Sequence, residues 1–147
     1  MSETVSVTIT QQEKYRFLVD FGDAIPDLIA DEPAPMGQGN GPGPTHMLLA
    51  AVANCLSASL LFSLQKFKQD AGGMTTTATC TVDRNEDNRL RVQHIDVTIN
   101  LGKQGAEFEH LDRILGQFED FCTVTQSVRA GIPITVAVND GQGARLE

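Results

Sequence analysis

Two thiols in different frames are the groups in this chain best placed to do chemistry. Cys55 lies in the uncharged run Pro44-Thr45-His46-Met47-Leu48-Leu49-Ala50-Ala51-Val52-Ala53-Asn54-Cys55-Leu56. Cys122 lies in Phe121-Cys122-Thr123-Val124-Thr125-Gln126-Ser127, just ahead of a helix-start signal. A buried thiol and a second thiol at a helix start are what a dithiol redox site needs. Cys122 is favoured locally, because free backbone N–H groups at a helix start stabilise a thiolate. The same residue could also be a small hydrophobe continuing the Phe118–Phe121 face. Cys55 sits about three turns into its helix, beyond the reach of the helix dipole. A reactive Cys55 therefore needs a cation from elsewhere in the fold. Arg16, among Tyr15, Phe17 and Leu18, is the candidate, although alternate strand positions would also let it face solvent. Cys80, in Thr79-Cys80-Thr81, reads as structural, and buried free cysteine is common in cores.

The bulk properties narrow the possible chemistry. A chain of 147 residues with 41% hydrophobic and 20% charged residues is expected to form one globular domain, residues 1–147. A net charge of -8 and no basic cluster argue against nucleic acid and anionic membrane as partners. Three cysteines make no even disulfide framework, and with no CxxC spacing and scattered His46, His94 and His110, no metal and no cofactor is expected. Met1-Ser2-Glu3-Thr4-Val5 lacks the pattern of a signal peptide, so a cytoplasmic protein with reduced thiols is expected. Met47 to Leu64 carries no charge and approaches the length of a membrane span. Asn54, Ser57, Ser59 and Ser63 interrupt it, and it reads instead as a helix buried on most of its surface.

The elements that must position the thiols follow from periodicity. Val5 to Thr10 alternates, Gln11-Gln12-Glu13 reads as a turn, and Lys14 to Phe21 completes a hairpin, with Leu28-Ile29-Ala30 as a short third strand. Pro33 to Pro44 is a Pro- and Gly-rich loop, either functional or a plain connector. A long helix is expected from Pro44 to about Asp70, stopped by Gly72-Gly73, with Cys55 on a stripe of Leu48, Val52, Ser59 and Phe62. Met74 to Arg84 and Leu90 to Leu101 alternate around an Asn85–Asn88 turn, forming a second hairpin. Glu107 to Phe121 reads as an amphipathic helix. Thr123-Val124-Thr125-Gln126 fits a capping box on a short helix ended by Gly131, and Ile132 to Val138 fits a last strand. The order is that of an α+β domain with antiparallel sheets. His46 reads as a polar residue at the helix mouth, and His94 and His110 as surface positions.

Gly43 to Leu56 resembles the cysteine-helix motif of the OsmC/Ohr family of thiol peroxidases. Cys122-Thr123-Val124-Thr125-Gln126-Ser127-Val128-Arg129, with Gly131-Ile132-Pro133-Ile134-Thr135-Val136 after it, is similar to that family's second cysteine motif. The resemblance covers nearly the whole chain. It implies an OsmC-like fold, an intertwined homodimer with long central helices, and an active site at the subunit interface. It also implies that Cys55 is the peroxidatic residue and Cys122 the resolving one. An organic hydroperoxide would be reduced to an alcohol through a Cys55 sulfenate and a Cys55–Cys122 disulfide, which an external thiol or dithiol then reduces. Arg16 is the match to the family's activating arginine, with Lys14 as the alternative cation.

The chain departs from the family pattern at two points. Thr45 and His46 stand where many members carry a glutamate that pairs with the arginine, and Thr123 stands where proline usually follows the resolving cysteine. The missing carboxylate keeps a second expectation open: a stress-associated binding protein of the same fold with weak or no catalysis.

Overall fold

The computed structural model describes residues 2–131, 134–140 and 142–146. They form β1 (Thr8–Glu13), β2 (Arg16–Asp20), β3 (Leu28–Ala30), α1 (Pro44–Lys66), β4 (Met74–Arg84), β5 (Leu90–Leu101), α2 (Leu111–Gln117) and α3 (Thr123–Ala130). The class is α+β with antiparallel sheets and a long cysteine-bearing helix, as expected. The chain divides into two compact units, residues 1–54 with 74–101 and residues 55–73 with 102–147.

In the first unit, β1, β2 and β3 pair antiparallel in that order, and β4 pairs with β5. The first hairpin turns two residues later than the sequence suggested. Gln11, Gln12 and Glu13 belong to β1, Glu13 pairs with Arg16, and the turn is Lys14-Tyr15. Lys14 takes a left-handed conformation (φ 53°) there, so no glycine or asparagine marks the turn. The second hairpin turns where expected. Asn85 Oδ1 accepts the N–H groups of Asp87 and Arg89, and Asn88 takes the left-handed conformation. Val19, Ala30 and Val52 are the buried apolar residues of this unit.

The Pro33–Pro44 loop is ordered by one carboxylate. Asp31, 3% exposed, accepts the N–H groups of Glu32 (2.8 Å), Gln38 (3.2 Å) and Asn40 (3.1 Å). Two glycines permit the close packing this requires. A Cβ on Gly37 would collide with Glu32 O and Asp31 Oδ1, and one on Gly41 with Ile29 O. His46 Nδ1 accepts the Gly43 N–H at 3.3 Å, so it does sit as a polar residue at the mouth of α1.

In the second unit, α1 ends at Lys66, earlier than Gly72-Gly73 implied. The Gln69 N–H bonds Leu64 O (2.8 Å) and the Lys68 N–H bonds Gln65 O (2.9 Å), a Schellman stop with Lys68 in the left-handed position. Glycine or asparagine usually fills that place, which is why the stop left no sequence signal. The Glu107–Phe121 helix is also shorter than expected. Residues Gly105–Glu107 and Phe118–Phe121 are 3-10 turns, and α2 begins only at Leu111, after His110 in the left-handed conformation. Leu56, Leu60, Leu64, Ala71, Ile114 and Cys122 form the buried apolar core of this unit.

Two further expectations are corrected. α1 is not buried on most of its surface: Leu61 is 43% and Phe62 56% exposed, and the buried positions form one stripe. Residues 134–138 form no strand, and Asn139 and Arg145 make only an isolated bridge (Ile132 and Pro133 lie outside the described residues). Ile134 is 83% exposed with no strand edge beside it, and alternation alone cannot satisfy backbone N–H and C=O groups.

Candidate functional site

The second unit brings Cys55 and Cys122 together. Cys55 is half-buried, Cys122 is wholly buried, and the two thiols lie near enough to act on each other's acidity. The sequence explains both placements. Cys55, Ser59 and Ser63 recur every four residues on α1, so they share a face with buried Val52, Leu56 and Leu60. Cys122 is held by the turn before it and the helix after it. Its N–H bonds Glu119 O (3.1 Å), and its C=O accepts the Gln126 N–H (3.0 Å). The Phe121 ring packs edge-on against Phe62 of α1, centroids 5.9 Å apart, and Lys66 Nζ lies 5.4 Å from the Phe121 centroid. Arg129 pairs with Glu119 at 3.2 Å, which ties the end of α3 back to the same turn.

The predicted capping box is not what starts α3. Cys122, not Thr123, is the N-cap residue, and the Gln126 side chain reaches Glu119 O (3.0 Å) instead. This puts a sulfur at the cap. Its side chain closes no regular capping bond, yet the Thr125 N–H lies close enough to favour its thiolate. The Val124 and Thr125 N–H groups also act on Cys55, so both sulfurs share one helix N-terminus.

The two thiols are driven apart electrostatically. Burial opposes the Cys122 thiolate, but the neighbouring Cys55 thiol, the Thr125 hydroxyl and N–H, and the Ser59 hydroxyl together hold its pKa below the ordinary thiol value. Burial pushes Cys55 up, and its neighbour Cys122 adds to that. The Val124 and Thr125 N–H groups pull the other way without prevailing. Of the monoanions the pair can form, the one with charge on Cys122 is favoured. Accessibility and acidity are thus divided: the half-buried sulfur keeps the proton and the buried one takes the charge.

Two hydroxyls, those of Ser59 and Thr125, lie beside this pair, and Ser63 is buried about two turns beyond Cys55 on α1. Ser59 is 7% exposed and bonds Cys122. Thr125 (7% exposed) and Ser63 (0% exposed) are buried with no regular hydrogen-bond partner for Oγ1 and Oγ. Neither Ser59 nor Thr125 stood out in the sequence as a functional residue. Their signal was spacing, because each hydroxyl lies one helical turn beyond a cysteine.

Arg16 lies in the first unit and is engaged there. Its Nε donates to Gln12 Oε1 (3.1 Å), its guanidinium lies 3.7 Å from Glu13, and its charge acts on Asp31. The Asn40 N–H is the main influence holding the Asp31 carboxyl below its ordinary pKa. Burial opposes it, while the Glu32 and Gln38 N–H groups and Arg16 reinforce it. Next to this carboxylate is a cavity of about 260 Å³ lined by Ile9, Tyr15, Phe17, Ala30, Pro44 and Met47, with Asp31 and Glu32 on its wall. Cys80 is half-buried on β4 opposite Ile95. His94 and His110 are exposed, as expected. Among the described residues no group of His, Cys, Asp and Glu is arranged to hold a metal ion.

The fold recurs in solved structures. An OsmC-like protein from Mycoplasma pneumoniae matches with a TM-score of 0.71 at 14% identity, over 88% of this chain and 89% of that one. The organic hydroperoxide resistance protein OhrB of Bacillus subtilis matches with a TM-score of 0.66 at 15% identity, over 90% and 96%. An organic hydroperoxide resistance protein from Elizabethkingia anophelis, with thiocyanate bound, matches with a TM-score of 0.66 at 16% identity, over 90% and 94%. No curated protein matches the sequence. The OsmC-like protein family matches residues 37–137, a span that contains both cysteine helices, and the chain is therefore a member of the OsmC-like family.

Proposed function

We propose that this protein is a thiol-dependent hydroperoxide reductase acting on organic hydroperoxides, a single-domain cytoplasmic homodimer of the OsmC/Ohr kind. The observation that carries the reading is the pairing of Cys55 with Cys122 as neighbours that shift each other's acidity, one half-buried and the other wholly buried, within the family's frame. A nucleophile must reach its substrate, and Cys55 is the more accessible thiol. A resolving thiol must lie close to it, and the mutual influence of Cys55 and Cys122 supports that role for Cys122. Relatives of the same fold are named organic hydroperoxide resistance proteins, which supports this substrate class.

The reaction balances as follows. As the Cys55 sulfur attacks the outer peroxide oxygen, its proton passes to the Cys122 thiolate beside it. The O–O bond breaks, the alkoxide takes up a proton and leaves as an alcohol, and Cys55 becomes a sulfenic acid. Cys122 attacks that sulfur, water leaves, and the disulfide forms. Two thiols are oxidised as one peroxide is reduced, and an external dithiol restores them. Arg16 is assigned as the cation that steadies the departing alkoxide.

The test is a thiol count on reduced protein treated with tert-butyl hydroperoxide or hydrogen peroxide. Rapid loss of two thiols per chain, faster with the organic peroxide, is expected. Cys55→Ser should abolish turnover, Cys122→Ser should leave Cys55 to over-oxidise, and Arg16→Met should slow the oxidative step. Unchanged turnover in the Cys55→Ser protein would sink the assignment, and slow loss of a single thiol without peroxide preference would favour a binding protein.

A further inference from the structure

We propose that the Ser59 and Thr125 hydroxyls hold Cys122 as the leaving thiolate when the Cys55–Cys122 disulfide is reduced, so that the external thiol always attacks Cys55. This deepens the dithiol reading above and rests on it. Three observations support it. Cys122 is 0% exposed, so an incoming thiol cannot reach its sulfur, whereas Cys55 is half-buried. Thr125 is 93% buried by the complement of its 7% exposure, and its Oγ1 has no regular partner although it neighbours the Cys122 sulfur. Ser59, equally buried and one turn along α1 from Cys55, directs its hydroxyl to the same sulfur.

A buried hydroxyl without a partner costs stability unless some state of the protein uses it. A thiolate at Cys122 is such a state, since an anionic acceptor makes stronger hydrogen bonds than a neutral thiol. Exchange is faster when the leaving sulfur is the better stabilised anion, and attack falls on the accessible sulfur. Both criteria choose the same direction here. The external thiolate forms a bond to Cys55 Sγ, the disulfide breaks, and its electron pair goes to Cys122 Sγ, where Ser59, Thr125 Oγ1 and the Thr125 N–H receive it. A second thiol of the reductant then attacks the reductant sulfur of the mixed disulfide, its proton passes to the departing Cys55 sulfur, and Cys122 keeps its charge, which restores the reduced pair.

The experiment uses protein oxidised with diamide, which needs no peroxidase activity. Reduction by dithiothreitol is followed in the unaltered protein and in Ser59→Ala, Thr125→Val and the hydroxyl-keeping Thr125→Ser. Absorbance at 240 nm against pH reports the Cys122 thiolate in a Cys55→Ser, Cys80→Ser background. Each hydroxyl removal should slow reduction by about three- to tenfold and move the Cys122 titration to higher pH, and Thr125→Ser should restore both. Equal rates and unmoved titrations in Ser59→Ala and Thr125→Val overturn the proposal. So does a glutathione adduct found on Cys122 rather than Cys55 by peptide mass spectrometry. A protein that forms no diamide disulfide overturns this proposal and the resolving step together. One that shows these effects yet reduces no hydroperoxide overturns the proposed function alone.

Discussion

Replacing Ser63 with alanine should stabilise the protein, an unusual direction for a wholly buried helix position. The Ser63 side chain is 0% exposed and its Oγ has no hydrogen-bond partner. Removing an unsatisfied buried hydroxyl recovers about 1 kcal/mol at the low end of its desolvation cost. Alanine adds ~0.5 kcal/mol of helix propensity over serine. Against these stands a void the size of one oxygen, which costs about 0.4 kcal/mol at the measured cavity coefficient. The net gain is about 1 kcal/mol, or about 3 °C in Tm for a chain of this size. Urea unfolding of the reduced protein should show a higher midpoint with an unchanged slope. Thr125→Val supplies the contrast: it too removes an unpartnered buried hydroxyl and should not destabilise the reduced protein, but it should slow disulfide reduction as Ser63→Ala does not. A Ser63→Ala protein destabilised by more than about 0.5 kcal/mol would refute the reasoning, since the hydroxyl must then make a bond worth the usual net amount.

Four other outcomes follow from the geometry. Ile114 is the one buried residue of the seven-residue α2, too short to hold itself, so Ile114→Ala should cost about 2–5 kcal/mol in urea unfolding. Gly41→Ala drives a Cβ into Ile29 O and should cost about 1–3 kcal/mol, with faster amide exchange at Gln38 and Asn40. Asp31 has a depressed pKa, so its support of the loop is complete above the ordinary aspartate value of 3.8 and is lost as pH falls through its folded value. Exchange of the Gln38 and Asn40 amides, corrected for intrinsic rates, should therefore rise only below that value, and in Asp31→Asn the acid dependence should vanish. For the reduced thiols, the depressed Cys122 pKa adds stability that is full above the ordinary value of 9.0 and lost as pH falls through the folded value. The raised Cys55 pKa leaves the fold unaffected below 9.0 and subtracts stability as pH rises above it. Stability relative to a Cys55→Ser, Cys122→Ser protein should peak near that pH, and a monotonic difference would contradict the assignment.

What the sequence disclosed was what periodicity and turn chemistry encode. The Asn85–Asn88 turn, the start of α1 at Pro44 and the stop at Gly131 were all legible, because each uses a residue type suited to its backbone conformation. Lys14, Lys68 and His110 adopt left-handed backbone without being glycine or asparagine, and each moved a boundary. His110 meets a tertiary neighbour, its ring 5.5 Å from the Phe67 ring at the end of α1, whereas Lys14 and Lys68 take these conformations within local turns. The carboxylate that Arg16 helps to keep ionised was equally hidden. Thr45 and His46 stand at the head of α1, and Asp31, just past the end of β3, carried no spacing signal that would relate it to Arg16.

The cysteines show why reading a site from spacing has a limit. Position in the chain separates a mid-helix thiol from a helix-start thiol, and on that ground alone Cys122 should be the more acidic. The structure agrees and adds a cause that spacing could not supply, because the neighbour lowering Cys122 most is Cys55 itself, 67 positions earlier (122 minus 55). A thiol pair sharing a proton need not place its charge on the sulfur that meets the substrate. Cys55 can be the attacking atom with a raised pKa provided the base that takes its proton lies beside it, and Cys122 does. The cation that a solitary Cys55 would require is then needed less to make the thiolate than to steady the departing alkoxide. Arg16→Met should accordingly slow peroxide reduction while leaving the pH dependence of alkylation at Cys55 unmoved. A shift of that profile to higher pH in the variant would return the activating role to the arginine.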